Sequence, residues 1–265
     1  MTALPEYELF ALRYAHREAR RAEHFIGGDP HDGPMPMAYY IWAICGEGRI
    51  VLVDCGFNAG VAARRGRTLL QTPTELLTLL DIDPAVVPDL VLTHLHYDHV
   101  GNLDLFPSAL FHLQEPELHY AVGRHMRHDF LRAAFEVEDV VRLVRLNHAG
   151  RVRLHNGTVR LYPGITLHPA PGHSAGLQFV QVHTRRGMVV LASDAAHFYE
   201  NMESGRPFTI LVDAAETLES YDLVRRAAEG PDHIIPGHDP LVMARYPAPS
   251  PSLKGLVARL DVAPH

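Results

Sequence analysis

Cysteine is nearly absent: Cys45 and Cys55 are the only two in 265 residues. If Gly46-Glu47-Gly48 makes a hairpin turn, Cys45 faces about Arg49 and Cys55 faces about Tyr39, so the two are not partners. Two unpaired, buried thiols exclude a disulfide scaffold and fit a reducing cytoplasm. No stretch approaches the ~20 apolar residues needed to span a bilayer. Residues 1 to 24 alternate charged and apolar side chains without the apolar core of a secretory signal. A cytoplasmic chain with no membrane partner is the expectation. Basic blocks are missing as well. The net charge of −7, from 24 Lys and Arg against 31 Asp and Glu, argues against a nucleic-acid partner. Arg64-Arg65-Gly66-Arg67 comes nearest to a block, and its expected place is a solvated helix end.

What remains is ordinary for a globular protein, with 47% hydrophobic and 21% charged residues, and the length suits a single domain over residues 1–265. Histidine is abundant, at 19 residues, so a lone histidine carries little information. The segment Thr93-His94-Leu95-His96-Tyr97-Asp98-His99 is different. It follows the apolar run Leu90-Val91-Leu92, so a buried strand is expected to spill its ligand-type side chains onto a loop. In an extended backbone His94 and His96 point the same way, while Asp98 and His99 turn off that line towards a second centre. Imidazole and carboxylate are the usual zinc donors where thiolate is absent.

Along the chain, Tyr7 to Tyr14 suggests a first strand. Residues 24 to 37 form a Gly- and Pro-rich loop that carries Phe25, Ile26, Met35 and Met37. That loop either lines a substrate cleft or packs on an edge. Tyr39 to Cys45 and Arg49 to Asp54 read as a hairpin apolar on both faces. Asp54, at the end of a buried strand, is either a partner for a metal-bound histidine N–H or a turn-capping aspartate before Gly56. Helical periodicity is expected over 74–80, 116–122, 124–146 and 217–229, short strands over 152–167, a hairpin over 177–192 and a last strand at 231–235. The 124–146 helix either covers the site or packs on the sheet. Strands followed by helices in each half predict two facing sheets with helices outside, an α/β four-layer αββα sandwich.

Three further places repeat the pattern of strand, turn and ligand: Gly172-His173, Ser193-Asp194 and Gly237-His238. Seven ligands exceed one tetrahedral zinc and fit two ions. His94, His96 and His173 would serve one and Asp98, His99 and His238 the other, with Asp194 bridging. A carboxylate bridge holds cations about 3.5–4 Å apart, close enough to share a hydroxide nucleophile at neutral pH.

Together these motifs resemble the metallo-β-lactamase-fold hydrolases, and Leu52-Val53-Asp54-Cys55-Gly56 resembles that superfamily's early strand, where Thr more often stands at the Cys55 position. The likeness spans roughly residues 38 to 240. Aspartate at 194 is unlike the true β-lactamases, and His96 stands where flavodiiron proteins carry glutamate. In length and ligand set the chain is most similar to the quorum-quenching N-acyl-homoserine lactone lactonases. The resemblance implies two Zn2+ ions (Fe, Mn or Co as substitutes), a small-molecule lactone or ester substrate opened by a metal-bridging hydroxide, proton transfer through Asp98 or Asp194, and a homodimer. The 25–37 loop would accept an acyl chain. That group places a tyrosine three residues after the bridging aspartate, whereas His197 stands here with Tyr199 two further on. Either could orient the carbonyl, or both could simply line the pocket. Within the fold, a glyoxalase II-like thioesterase or another small cyclic ester or amide hydrolase is the alternative, although Arg245, Lys254 and Arg259 make a thin basic C-terminal segment for glutathione. A mono-iron persulfide dioxygenase and a non-catalytic metal-binding module rank lower.

Overall fold

The computed structural model describes residues 3–265. Its thirteen strands are β1 (Glu8–Arg17), β2 (Met37–Gly46), β3 (Arg49–Val53), β4 (Thr68–Leu69), β5 (Asp89–Val91), β6 (Leu110–Gln114) and β7 (Val152–His155), then β8 (Val159–Tyr162), β9 (Ile165–Pro169), β10 (Gln178–Thr184), β11 (Gly187–Ser193), β12 (Ile234–Pro236) and β13 (Val257–Arg259). They form two sheets. The first has the order β13-β1-β2-β3-β5-β6-β7, with β4 also on β1, and the second β12-β11-β10-β9-β8.

Alternation along β2 shows why the layers stack as they do. Tyr40, Trp42 and Ile44 join Val180, Val182 and Leu191 of the second sheet in a core between the sheets. Tyr39, Ile41 and Ala43 point the other way, into a core shared with Leu76, Leu118 and Leu143 of the outer helices. Phe179 and Val190 leave the second sheet on its far side to meet Tyr221 and Val224 of the helix Ala214–Ala227. A strand buried on both faces must be apolar at every position, as the 38–44 run is. Full burial of each Leu, Val or Phe contributes about 1.5–3 kcal/mol, and this holds the four layers together. The expected αββα sandwich is therefore the fold.

Three local expectations are corrected. The first hairpin turns on Glu47-Gly48 alone, pairing Gly46 with Arg49, so Cys45 faces Ile50 rather than Arg49. Both cysteines are free, and Cys45 is only partly buried. The 124–146 stretch is not one helix but three pieces, Arg124–Arg127, Asp129–Arg132 and Val137–His148. The strand at 231–235 is not the last, because β13 returns to pair antiparallel with β1. No helix of the described residues is long and apolar enough to cross a membrane.

The topology also sets where chemistry can occur. β3 runs parallel to β5, with Val53 beside Val91, and β11 runs parallel to β12, with Ser193 beside Pro236. Residues that follow these four strands emerge together: Asp54, Thr93 to His99, Asp194 and His238.

Candidate metal centre

Asp194 lies at the middle of the buried cluster, and its two carboxylate oxygens face different partners. Oδ2 is 3.2 Å from His173 Nε2, 3.8 Å from His94 Nε2 and 3.0 Å from His197 Nε2. Oδ1 is 3.3 Å from His99 Nε2 and 3.0 Å from His238 Nε2. Asp98 Oδ2 faces the same two imidazoles, 3.6 Å from each. His96 completes the first set, its Nδ1 2.9 Å from His173 Nε2. The structure thus brings His94, His96, His173 and Asp194 into one group and Asp98, His99 and His238 into another, each with donor atoms within 4.8 Å of one another. Asp194, His197 and His238 form a third, overlapping group.

Remote nitrogens of these rings are held from outside. His99 Nδ1 donates to Asp54 Oδ2 at 2.7 Å, His173 Nδ1 to the Ile210 carbonyl at 2.8 Å and His238 Nδ1 to the Ala38 carbonyl at 2.8 Å. The Thr93 hydroxyl donates to Asp54 at 2.8 Å and so accepts from His94 Nδ1 at 3.1 Å. Each bond fixes a tautomer that leaves Nε2 as a lone-pair donor towards the centre. Asp54 is therefore a partner of a ligand-type histidine, and it also accepts from the Thr93 backbone N–H at 2.7 Å. Ser193 Oγ donates to Thr93 Oγ1 at 3.0 Å, which joins the two sheets behind the cluster.

Backbone strain accompanies this arrangement. Asp54 has φ 62° and Ser193 φ 47°, left-handed values that cost non-glycine residues of order 1 kcal/mol or more. Gly237 is required by proximity: a Cβ there would lie 2.7 Å from the Ser193 carbonyl and 2.8 Å from Asp194 Oδ1. Electrostatics follow from burial and neighbours. Burial alone would raise the Asp194 carboxyl, but His238, His197, His99 and His173 hold it well below the usual range. Burial pushes His94 and His96 well below the ordinary imidazole value, and it takes His197 down to about 3. For His99 burial acts downward too, yet Asp194, Asp54 and Asp98 outweigh it.

The donor set fits divalent cations. All seven residues offer nitrogen or carboxylate oxygen, and His94 Nε2 and His99 Nε2 are buried with no hydrogen-bond partner. Such orphaned acceptors are rare in folded proteins and are accounted for when a cation takes their lone pairs.

A cleft of about 170 Å³ opens onto the cluster at Asp98, His173, Asp194 and His197. Its apolar side is Phe130, Ala134, Phe208 and Ile210. The His197 ring is stacked on Phe208, centroids 3.7 Å apart. Of the 24–37 loop only Met37 reaches the cleft. Phe25 is fully buried instead, with the guanidinium groups of Arg21 and Arg206 5.1 and 4.7 Å from its ring centre. The short helix Asp129–Arg132 supplies the covering element, through an exposed Phe130.

Tyr199 is not brought to this cleft. It begins the helix Tyr199–Ser204, which carries its ring under Arg245 at 4.7 Å and into the walls of two neighbouring cavities. Burial pushes its phenol up, so it stays protonated at neutral pH. Tyr199→Phe is expected to leave turnover within about twofold, as for a change away from the chemistry. A tenfold or larger loss of kcat would return Tyr199 to the catalytic set. Sequence reasoning missed the opposite case. Arg65, Arg67, Tyr39 and Tyr97 line the cleft, although Arg64 to Arg67 looked like a solvated helix end. Gly66, left-handed at φ 63°, caps the helix Ala59–Arg65 and turns Arg67 inward.

Residues 34–238 match the metallo-beta-lactamase superfamily. The chain belongs to that superfamily. Among curated proteins, this family member is 28% identical over 187 residues to an N-acyl homoserine lactonase of Rhizobium radiobacter, covering 65% of each chain. The match thus spans slightly less than two thirds of that relative. Among solved structures it is similar to a quorum-quenching N-acyl homoserine lactone lactonase, with TM-score 0.74 and 21% identity over 90% of this chain and 94% of the other. A dizinc quorum-quenching lactonase in complex with its product has TM-score 0.66 and 18% identity, covering 90% of each chain. These structural likenesses establish the metallo-β-lactamase sandwich.

Proposed function

We propose that this chain is a metal-dependent hydrolase that opens lactones, acting as one domain on two divalent cations. His94, His96 and His173 would hold one ion, Asp98, His99 and His238 the other, and Asp194 would bridge them. The split of Asp194, with one oxygen towards each set, is the observation that carries this reading. The lactonase names of the relatives support the substrate class. Zinc suits the donors best, and they also accept iron, manganese or cobalt. When bound, two such ions supply a water with pKa near ~7 and a Lewis acid for the carbonyl oxygen.

The protein's own groups do the rest. Asp54, Thr93 and the Ile210 and Ala38 carbonyls hold the imidazoles in fixed orientation, so little reorganisation accompanies reaction. His197 anchors Asp194 Oδ2 from the cleft side. Asp98, which lines the cleft, is placed to carry a proton to the departing alkoxide. Phe130, Phe208 and Ile210 exclude water from the acyl side of the substrate.

Removing metal with a chelator and restoring zinc tests this directly, assaying N-hexanoyl-homoserine lactone beside a thioester, a phosphodiester and a β-lactam. Lactone opening is expected only with metal present and at two zincs per chain by elemental analysis. Undiminished turnover after metal removal would sink the mechanism. Two bound zincs without lactone opening would sink the substrate.

A further inference from the structure

Three arginines line the cleft, and they differ in their counter-charges. Arg17 pairs with Glu23 at 3.0 Å, and Arg65 pairs with Glu136 at 2.8 Å. Arg67 is half-buried and has no carboxylate partner among the described residues. Its Nε donates to the Tyr97 phenol oxygen at 3.0 Å and its Nη1 to the Arg65 carbonyl at 2.7 Å. A guanidinium carries five N–H groups, so these two bonds leave three free. The cleft's own carboxylates, Asp98 and Asp194, are committed to the imidazole cluster. Asp98 acts on Arg67 only through space, with no direct ion pair, so the half-buried guanidinium keeps N–H groups unpaired that a ligand anion can take.

A second count points the same way. Tyr39 and Tyr97 both line the cleft, and their phenol oxygens are 3.2 Å apart. Two phenolic protons share that single contact, and no other acceptor is present for either among the described residues. One proton is therefore left over, whichever tyrosine donates. If Tyr39 donates, Tyr97 accepts from both Tyr39 and Arg67, and its own O–H is the free one. This wall of the cleft thus has spare donors facing in: guanidinium N–H groups of Arg67 and one phenol O–H.

We infer that the Arg67–Tyr97–Tyr39 wall is a subsite for a carboxylate of the substrate, so that the preferred lactones carry a free acid besides the ring. The inference rests on the lactonase reading and narrows its substrate class. A planar carboxylate accepts two parallel bonds from a guanidinium and a third from the phenol, a geometry that a neutral acyl chain cannot use.

Binding measured without turnover separates this inference from the reading beneath it. The probes are γ-butyrolactam analogues bearing either an N-hexanoyl or an N-glutaryl chain at the ring carbon, matched in length and differing in the terminal carboxylate. With zinc-loaded full-length protein, calorimetry is expected to give the glutaryl lactam about tenfold tighter binding, the size of one charge-assisted contact. Raising salt should shrink that preference, and Arg67→Met should remove it while hexanoyl binding stays within about twofold. Arg67→Lys should restore part of it, and Tyr97→Phe should reduce it. Equal affinities of the two lactams for the native protein overturn the subsite, as does a preference that survives Arg67→Met. If Arg67→Met does not fold, the native comparison and its salt dependence decide. The lactonase reading fails separately, when neither the hexanoyl nor the glutaryl lactone is opened by the zinc enzyme.

Discussion

Asp194→Ala is expected to lower lactone turnover by about a thousandfold or more, the equivalent of several kcal/mol of lost transition-state charge stabilisation. The expectation follows from geometry. Asp194 is 3% exposed and touches imidazoles of both groups through separate oxygens, so no neighbouring side chain can take its place. Its removal leaves His173, His197, His99 and His238 without the one carboxylate they share. Elemental analysis of the purified variant should then show fewer than two metal ions per chain. Thermal unfolding supplies a control, because Asp194 is surrounded by ligand-type groups rather than by the apolar cores. A variant with full metal content and native turnover would refute the bridging role.

Asp54→Ala is expected to have the next largest effect, weakening metal binding by about 10–100-fold through the histidine it orients. Asp54 lies outside the proposed ligand sets and is fully buried, yet it accepts from three donors: His99 Nδ1, the Thr93 N–H and the Thr93 hydroxyl. Each buried donor left unsatisfied costs about 1–3 kcal/mol, so stability should fall along with affinity. Asp54→Asn is the sharper variant. It keeps the volume but turns an NH2 group towards one of those donors, and it is expected to lose metal affinity with a smaller loss of stability. Competition with a chromophoric chelator gives the affinity and denaturant unfolding gives the stability. Unchanged zinc affinity in both variants would reduce Asp54 to a turn residue.

Much of the site was legible because its residues follow strands. An apolar run that ends in His94-Leu95-His96-Tyr97-Asp98-His99 declares both burial and chemistry in one segment. His173, Asp194 and His238 repeat that context, and the structure gathers all seven around two poles. The αββα layers were legible for a related reason, since strands such as β2 are apolar on both faces and need a covering layer on each. Asp54 stood undecided in the sequence between a histidine partner and a turn cap, and its 2.7 Å contact with His99 resolves it.

The cleft wall was not legible. Arg67 looked solvated because charge runs on helix ends usually are, and only the left-handed turn at Gly66 sends it inward. Tyr39 reads as one more core residue of an apolar strand, and Tyr97 as a spacer between ligands. Their pairing depends on the distance between β2 and the loop after β5. Tyr199 went the opposite way, named from sequence but placed away from the cleft. Two residues beyond His197 is close in sequence, but the start of a helix between them separates the side chains in space.

The sequence by itself determined most of the elements, the layers and which ligand-type side chains cluster, because periodicity and donor chemistry are local properties of a chain. Only the tertiary structure decided which oxygen of Asp194 faces which imidazoles, what covers the cleft and which charge in it lacks a partner. Those depend on side chains far apart in sequence coming within hydrogen-bond range, which no local pattern encodes.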